Sequence, residues 1–348
     1  MGEAFPRPAL VLRCLGGFAY IQLEDGRRAV ARPLGRLRRQ GRLVVGDRVQ
    51  VIPVTMQGRD EQGQSGGTEE AIAGLPPAST AHAWPGEAPD WSRVEYAICE
   101  VEPRQHQLER PLVANIDQVL LVHPLPLDEA GAKWIDRLTV IAQQREVRPV
   151  ITLSKADLAT PAETSRWAKL YAEAGFPVAV TSVRSGQGAA ELYQLLKGHI
   201  TALAGPSGAG KTSLVNWLIP GLHLPTGELS RRTGRGRQTT REAQLLPLPG
   251  GSGWIADTPG FGALPVPIID PYELARYFPE FGAAGSCPYP GCLHVREPAC
   301  TVRAAVASGR VASVRYQHYL ELLGQAQERW AHRFTHPRSS RNKEDGDA

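Results

Sequence analysis

The chain has 348 residues, with 39 basic against 35 acidic side chains, a formal net charge of +4 and 42% hydrophobic residues. This length accommodates two or three globular domains, and the small positive excess permits contact with nucleic acid without demanding it. No apolar run approaches the roughly 18 residues of a membrane span, and the first residues lack the basic-then-apolar order of a signal peptide, so we expect a cytoplasmic protein without membrane contact.

Residues 1–110 predict a small β-barrel. Short apolar and β-branched runs alternate here with turn signals such as Asp25-Gly26. The predicted strands cover 9–14, 18–23, 28–31 and 48–54. Residues 56–91 are rich in Gly, Ser, Pro, Gln and Glu without an apolar period, which predicts a long flexible insertion. A strand pattern resumes over 96–111 and is expected to close the barrel.

Residues 111–267 predict an α/β domain. Short runs of Val, Ile and Leu alternate with segments of helical spacing, which is typical of a mostly parallel sheet covered by helices on both faces. The predicted strands cover 118–123, 149–154, 177–182 and 199–205, and the predicted helices cover 130–147, 163–175 and 188–198.

Residues 268–335 form a third predicted unit, which ends in an amphipathic helix within 313–334. The apolar positions of this helix are Val314, Tyr316, Tyr319, Leu320, Leu322 and Leu323. The remaining residues, 336–348, are polar and are expected to form a disordered tail.

Three of the five cysteines crowd together with a histidine in this third unit. Cys287, Cys292, His294 and Cys300 offer three thiolates and one imidazole. Such ligands suit tetrahedral Zn²⁺, and a set of four leaves no position open for water, so we predict one structural zinc ion. The alternative is a chance cluster of free thiols. An odd number of cysteines argues against a disulfide framework.

A glycine-rich turn between a predicted strand and a predicted helix has the spacing of a phosphate-binding loop. Its glycines let successive N–H groups surround phosphate oxygens, Lys211 reaches the β- and γ-phosphates, and Thr212 offers its hydroxyl to Mg²⁺. The predicted nucleotide contacts are Gly205, Pro206, Ser207, Gly208, Ala209, Gly210, Lys211, Thr212 and Ser213. The loop alone is also similar to those of guanylate kinases and ABC-type ATPases.

Other predicted strand ends supply partners for this loop. Asp257 ends the apolar run Trp-Ile-Ala-Asp and is placed to hold the Mg²⁺ shell through water, while the N–H of Gly260 is placed to meet the γ-phosphate.

The base of the nucleotide has candidate partners at two earlier strand ends. Asp157 can accept hydrogen bonds from the guanine N1–H and exocyclic amine, which adenine cannot offer, while the stem of Lys155 packs along the base. Backbone N–H groups near Ser182 and Val183 are expected at the guanine O6. We therefore predict selectivity for GTP.

The order of these motifs resembles that of circularly permuted GTPases, because both base loops precede the phosphate loop. Such a rotation can preserve the site, since all these loops lie at one edge of the same sheet. Within that group the chain resembles the ribosome small-subunit-dependent GTPase A family, bacterial assembly factors of the 30S subunit. The resemblance is carried by residues 110–122, 205–214, 234–245, 257–261 and 287–306.

The resemblance implies an N-terminal OB-fold barrel, a permuted P-loop GTPase domain and a C-terminal helical zinc-binding domain. It also implies GTP and GDP as ligands, Mg²⁺ bound with GTP, the 30S subunit and its 16S rRNA as partners, and hydrolysis stimulated by the ribosome. We expect a monomer.

The chain departs from the family's base motif, usually Asn-Lys-x-Asp, which reads Ser154-Lys155-Ala156-Asp157 here. Because a serine replaces the asparagine, we expect the loss of hydrogen bonds that tie the base loop together and help to hold guanine. Selectivity for GTP should survive through Asp157, with weaker affinity.

The switch segment contains a second departure, since Gln238 stands where the family usually has histidine. An amide can orient the attacking water, and the alternative is that residue 238 is only part of a mobile loop. Thr240, or its neighbour Thr239, is expected to give Mg²⁺ a second hydroxyl. Gln238, Lys211 and Thr240 are thus the predicted catalytic residues.

Arginines cluster in two places. They occupy positions 27–28, 32, 36, 38–39, 42 and 48 in the barrel and 231–232, 235, 237 and 241 in the switch segment. The residues alone leave a solvated basic face and an RNA-binding surface equally open, and the resemblance favours ribosomal RNA.

Two other functions compete with GTP hydrolysis in 30S maturation. A P-loop phosphotransferase would need an acceptor site and a lid, neither of which the sequence indicates. An RNA-binding zinc protein with a degenerate nucleotide site is supported only by Ser154 and Gln238.

Overall fold

The computed structural model describes residues 5–54 except 36 and 38–41, residues 93–109 except 106, and residues 112–224, 243–257 and 268–333. The predicted insertion 56–91 and the predicted tail lie outside the described residues. None of the helices in the described ranges combines the length and hydropathy that crossing a bilayer would take.

The N-terminal strands form a closed barrel. They are β1 (Arg7–Leu15), β2 (Phe18–Leu23), β3 (Arg28–Pro33), β4 (Arg48–Pro53) and β5 (Val94–Val101). Their order is β1-β2-β3-β5-β4, β4 pairs again with β1, and only β3 and β5 run parallel among these pairs. Alternating side chains such as Val11, Ile21 and Val49 fill the interior. The predicted barrel is confirmed, and its strand order is OB-like.

The strand predicted over 96–111 is wrong in its extent. β5 ends at Val101, and Pro103, which has no amide hydrogen, follows shortly after it. A separate two-stranded hairpin of β6 (Gln107–Glu109) and β7 (Leu112–Ala114) then leads into the second sheet.

The central sheet continues from β8 to β13. Its strands are β8 (Gln118–Pro124), β9 (Arg148–Ser154), β10 (Val178–Val180), β11 (Ile200–Ala204), β12 (Gln244–Pro247) and β13 (Trp254–Asp257). The order is β10-β9-β8-β11-β13-β12, and every neighbouring pair is parallel except β12–β13. The predicted mostly parallel sheet is confirmed. The carboxyl ends of its five parallel strands consequently meet at one edge.

Within the described ranges, four helices cover this sheet. They are α1 (Glu129–Gln144), α2 (Pro161–Glu173), α3 (Ala189–Leu196) and α4 (Lys211–Leu218). Asp128 caps α1 by accepting a hydrogen bond from the Gly131 N–H at 2.7 Å. Thr160 and Glu163 form a reciprocal capping box at the start of α2. Two separate apolar clusters lie on the two faces of the sheet, as the alternation of strands and helices predicts.

The barrel and the central sheet are one continuous 11-stranded sheet. β12 pairs with β1 through Gln244 and Arg13. Barrel residues Leu12 and Tyr20 share an apolar cluster with Leu245 of β12. β12 was not predicted, because its four residues are too short for a clear period-2 pattern.

The last helices in the described part of the chain share one apolar cluster with α1. They are α5 (Pro279–Ala283), α6 (Thr301–Ala307) and α7 (Ser313–His332), so the amphipathic helix predicted within 313–334 is confirmed. The Arg315 guanidinium bonds both oxygens of Glu280, at 2.7 and 3.0 Å, and Asp136 of α1 at 2.6 Å. His318 lies 2.6 Å from the other Asp136 oxygen. We call these four side chains the buried ion network.

Candidate nucleotide site and metal centre

The phosphate loop connects β11 to α4 at the carboxyl edge of the sheet. Gly208 and Gly210 have φ of +79° and +87°, values that side chains rarely adopt. A Cβ on Gly205 would lie 2.4 Å from the carbonyl oxygen of Val122 on the neighbouring strand β8. Each of these glycines is therefore required by the backbone path, and α4 begins directly after the loop with its N-terminal N–H groups.

Lys211 lies across the phosphate loop. Its ammonium donates to the carbonyls of Gly205 at 2.7 Å and Pro206 at 2.9 Å. Burial lowers the pKa of Lys211. Thr212 is buried beside it. A phosphate would offer this cation charged oxygens in place of neutral carbonyls, which is a stronger hydrogen-bonding environment.

The base loop begins at the end of β9, two strands from the phosphate loop. Lys155 has φ of +57° and is followed by a 3-10 turn over Ala156–Leu158. The Ala156 N–H donates to the Thr181 carbonyl at 3.1 Å, which joins this loop to the one after β10. The stem of Lys155 passes Gly210, where an added Cβ would lie 3.8 Å from the Lys155 Cε.

Asp157 and Ser182, both predicted at the base, are brought together. The Ser182 hydroxyl donates to Asp157 Oδ1 at 2.6 Å, and this bond lowers the pKa of Asp157. The hydroxyl also accepts from the Ser185 N–H at 3.3 Å. This bond favours the ionised carboxylate, which is the form that can accept hydrogen bonds from N–H groups.

The second base loop corrects one detail of the sequence prediction. The Ser182 N–H donates to the Gln187 carbonyl at 3.1 Å, so it is not available for the guanine O6. Contact of the Val183 amide with the guanine O6 stays a prediction. The sequence signal for the hydrogen bond between Ser182 and Gln187 is Gly188, whose added Cβ would lie 2.0 Å from the Val180 carbonyl.

Ser154 forms a hydrogen bond that the sequence did not predict. Its hydroxyl donates to the Ala209 carbonyl of the phosphate loop at 2.7 Å and lies 3.3 Å from the His123 carbonyl. The two loops are consequently tied together although asparagine is absent. Sequence reasoning missed this bond because Ala209 is 55 residues away along the chain.

The structure describes only some of the residues predicted to bind Mg²⁺ or to form the switch segment. Asp257 ends β13, which lies beside β11, so its backbone is at the same sheet edge as the phosphate loop. Gly260, Gln238 and Thr240 lie outside the described residues.

The predicted metal ligands converge in the C-terminal unit. One donor atom from each of Cys287, Cys292, His294 and Cys300 lies within 4.8 Å of all the others. His294 Nδ1 is 3.5 Å from the Cys287 sulfur and 3.4 Å from the Cys300 sulfur. A tetrahedral ion with bonds of about 2.0 to 2.3 Å separates its ligand atoms by about 3.3 to 3.8 Å. The two His294 separations fall in this range, and the four donor atoms lie close enough together that they could hold one such ion.

The loop that carries these ligands is held by groups outside the cluster. The hydroxyls of Tyr316 and Tyr319, on α7, donate to the carbonyls of His294 at 2.6 Å and Leu293 at 2.9 Å. Burial would raise the pKa of Glu297, but bonds from backbone N–H groups outweigh it and lower that pKa to about 2. Burial lowers the pKa of His294, which favours the neutral imidazole that binds metal.

Comparison with known proteins gives concordant results. The family model described as RsgA GTPase matches residues 101–267. The small ribosomal subunit biogenesis GTPase RsgA of Moorella thermoacetica is 40% identical over 317 residues, which cover 90% of this chain and 96% of that protein. The protein of the same name from Geobacillus kaustophilus is 41% identical, covering 68% of this chain and 82% of that one.

Two solved structures share the fold. YjeQ from Thermotoga maritima superposes with a TM-score of 0.69 at 31% identity, covering 92% of this chain and 99% of that one. YloQ, described as a circularly permuted GTPase, superposes with a TM-score of 0.68 at 25% identity, covering 93% and 96%.

Proposed function

The chain belongs to the RsgA GTPase family, and on that premise we propose that it hydrolyses GTP as a maturation factor of the small ribosomal subunit. The observation that carries the proposal is the direct contact between the base loop and the phosphate loop, through Ser154 and Ala209, at one sheet edge. A site of this form binds the base and the phosphates of one nucleotide together.

Each side chain has a proposed role in the reaction. Asp157 accepts from the Watson–Crick edge of guanine, and Lys211 holds the β- and γ-phosphates. Gln238 orients the attacking water. Thr212, Thr240 and Asp257 would hold Mg²⁺, which supplies positive charge against the charge that develops on the transferred phosphoryl group.

The other residues of the proposed nucleotide site belong to the base loop, the loop after β10, the phosphate loop and the segment after β13. They are Ser154, Lys155, Ala156, Ser182, Val183, Gly205, Pro206, Ser207, Gly208, Ala209, Gly210, Ser213 and Gly260.

We propose that the Cys3His cluster binds one Zn²⁺ and that the ion is structural. Four protein donors leave no open coordination position for substrate or water. We further propose three units, at 1–110, 111–267 and 268–335, in a monomer that acts in the cytoplasm on GTP, the 30S subunit and 16S rRNA.

GTP and ATP hydrolysis, each measured with and without 30S subunits, tests the proposal. We expect hydrolysis of GTP, stimulation by 30S subunits and little hydrolysis of ATP. Asp157→Asn should move the preference from guanine to xanthine nucleotides, because an amide donates to the carbonyl that replaces the exocyclic amine. Equal turnover of GTP and ATP would contradict the proposal.

Gln238→Ala tests the water-positioning role separately. We expect lower turnover in the presence of 30S subunits and unchanged affinity for GTP, because the side chain is needed only for attack. Unchanged stimulated turnover would remove residue 238 from the mechanism.

A further inference from the structure

Thr301 is the first residue of α6, and its side chain contacts two polar groups at the beginning of the loop over 285–300. The Thr301 hydroxyl lies 2.8 Å from the Gly285 carbonyl oxygen and 3.2 Å from the Cys287 sulfur. The next residue, Val302, is buried in the C-terminal apolar cluster. A side chain on a packed helix thus reaches a predicted metal ligand that lies 14 residues earlier in the chain.

The Thr301 hydroxyl has one proton to share between these two neighbours. The Gly285 carbonyl can only accept a hydrogen bond. While that carbonyl holds the proton, the Cys287 sulfur must therefore be the donor of the second bond. Only a protonated thiol can be that donor.

A cysteine that binds metal cannot keep this arrangement. It binds as a thiolate, which carries no proton and can only accept hydrogen bonds. If the Thr301 proton stayed on the Gly285 carbonyl, two acceptors would face each other across 3.2 Å. A hydroxyl also forms a stronger hydrogen bond with a charged acceptor than with a neutral carbonyl. Gly285 is exposed, so water can replace Thr301 as the donor to its carbonyl.

We infer that, when Cys287 coordinates a metal ion, the Thr301 hydroxyl directs its proton to the Cys287 thiolate and holds that sulfur in place. Thr301 is then a positioning residue, because it binds no metal itself and acts through Cys287. The Cys300 sulfur has a comparable partner in the Arg303 N–H at 3.5 Å, but a backbone group of this kind is supplied by most residue types. The inference rests on the proposed zinc site and adds to it a side chain that the spacing of the ligands does not indicate.

Thr301→Val tests the inference, because valine keeps the branched shape of threonine and removes the hydroxyl. We expect the affinity of the full chain for Zn²⁺ to fall about tenfold or more, since a metal ligand loses its hydrogen-bond partner. Competition with a chromogenic chelator measures this affinity. Thr301→Ser retains the hydroxyl and should restore most of the affinity. Wild-type affinity in the valine variant would overturn the inference.

The absorption spectrum of the chain saturated with Co²⁺ separates a bond to the sulfur from a bond to the Gly285 carbonyl. A hydrogen bond lowers the energy of the thiolate electrons, so its loss should move the sulfur-to-cobalt charge-transfer band of Thr301→Val to longer wavelength. Thr301→Ser should keep the wild-type band. Weaker binding by the valine variant with an unshifted band would also overturn the inference, since Thr301 would then act only through the backbone of the loop.

Ser308→Ala is the matched control, because it removes a hydroxyl at the other end of α6. The Ser308 hydroxyl donates to the Ala305 carbonyl at 3.1 Å. The Zn²⁺ affinity and the Co²⁺ spectrum of this variant should equal those of the wild type, and an equal loss in Ser308→Ala and Thr301→Val would overturn the specific role of Thr301. A wild-type chain that bound neither ion would instead refute the proposed zinc site.

Discussion

At the scale of single residues, the hydrogen bond between Ser182 and Asp157 is the contact that orients the carboxylate of the proposed base site. It holds one carboxylate oxygen in place at 2.6 Å and lowers the pKa of Asp157. Both effects favour an ionised, oriented acceptor before any nucleotide arrives. Preorganisation of this kind reduces the ordering that binding would otherwise require.

Ser182→Ala should weaken GTP binding by about tenfold at neutral pH, since a hydrogen bond to a charged group is lost. Without the bond the pKa of Asp157 rises toward its ordinary value, so the loss of GTP affinity on acidification should begin at a higher pH than in the wild type. Fluorescence titrations with a labelled guanine nucleotide across neutral and acid pH measure both effects.

Ser185→Ala is the matched control for that variant. Ser185 contacts the Ser182 hydroxyl through its backbone N–H, which alanine retains. Its GTP affinity should equal that of the wild type. A Ser182→Ala protein with wild-type affinity and pH profile would show that the carboxylate needs no support.

At the scale of helices and strands, the buried ion network fixes α7 and α5 on α1. Arg315 is 1% exposed and bonds Glu280 and Asp136, while its guanidinium lies 4.9 Å from the centre of the Phe278 ring. α1 begins just after β8, which lies beside the phosphate-loop strand β11. The network therefore joins the C-terminal helices to the nucleotide domain through one buried cation.

Arg315→Met should destabilise the protein by about 3–5 kcal/mol, because two buried carboxylates lose their cation. Urea unfolding measures this free energy. Arg310→Met, at an exposed position in the preceding loop, is the control and should change it by less than about 0.5 kcal/mol. Equal stability of the two variants would refute a structural role for the network.

Removal of metal should loosen the C-terminal unit and leave the parallel sheet folded. The loop over 285–300 contains little regular structure, and its backbone is held by the ligands and by Tyr316 and Tyr319. After chelation, amide hydrogen exchange should accelerate in this loop and in α6, but not in β8, β9 and β11.

Metal content provides the matching chemical test. The wild type should bind one Zn²⁺ per chain, and Cys292→Ser should lower the zinc affinity. Cys99→Ser, on barrel strand β5 and outside the cluster, should not. A wild-type protein that stays ordered over 285–300 without metal would contradict the structural role.

At the scale of the whole molecule, the barrel and the nucleotide domain share one sheet and one apolar cluster. β12 follows the switch segment in the chain and pairs with β1 of the barrel. The connection is reinforced where Arg104 bonds both oxygens of buried Asp47, at 2.7 and 2.9 Å, and Asn115 donates to the Gly46 carbonyl at 2.9 Å. A partner that binds the barrel therefore contacts the same sheet as β12, the strand that follows the switch segment in the chain.

The exposed barrel arginines Arg32 and Arg48 test whether that partner is RNA. The double variant Arg32→Glu/Arg48→Glu should lower the stimulation of GTP hydrolysis by 30S subunits. The slope of the logarithm of the binding constant against the logarithm of the salt concentration should become shallower by about one unit for each phosphate contact that is lost. GTP hydrolysis without 30S subunits should not change. Binding assays at several salt concentrations, with parallel turnover measurements, provide the readout.

An equal change of charge elsewhere controls for net charge. Arg166→Glu/Lys169→Glu makes the same change of charge on α2, which packs on β9 and β10 at the end of the sheet opposite the barrel. This variant should keep most of the stimulation. A similar loss in both variants would indicate a non-specific effect of charge.

The sequence by itself determined the closed barrel, the mostly parallel sheet, the phosphate loop and the cluster of three cysteines and one histidine. These features depend on local spacing, because period-2 alternation, the glycines that precede Lys211 and the short separations from Cys287 to Cys300 fix structure within a few turns of chain. The family and its permuted motif order could likewise be read from Asp157, Lys211 and Asp257.

Only the tertiary structure decided how distant segments meet. The bond from Ser154 to Ala209, the use of the Ser182 amide by Gln187, the pairing of β12 with β1 and the contact of Arg315 with Asp136 join groups brought together by folding. A side chain's sequence neighbours do not specify which donor it will face across the fold. For that reason the sequence did not predict that Ser154 would tie the base loop to the phosphate loop.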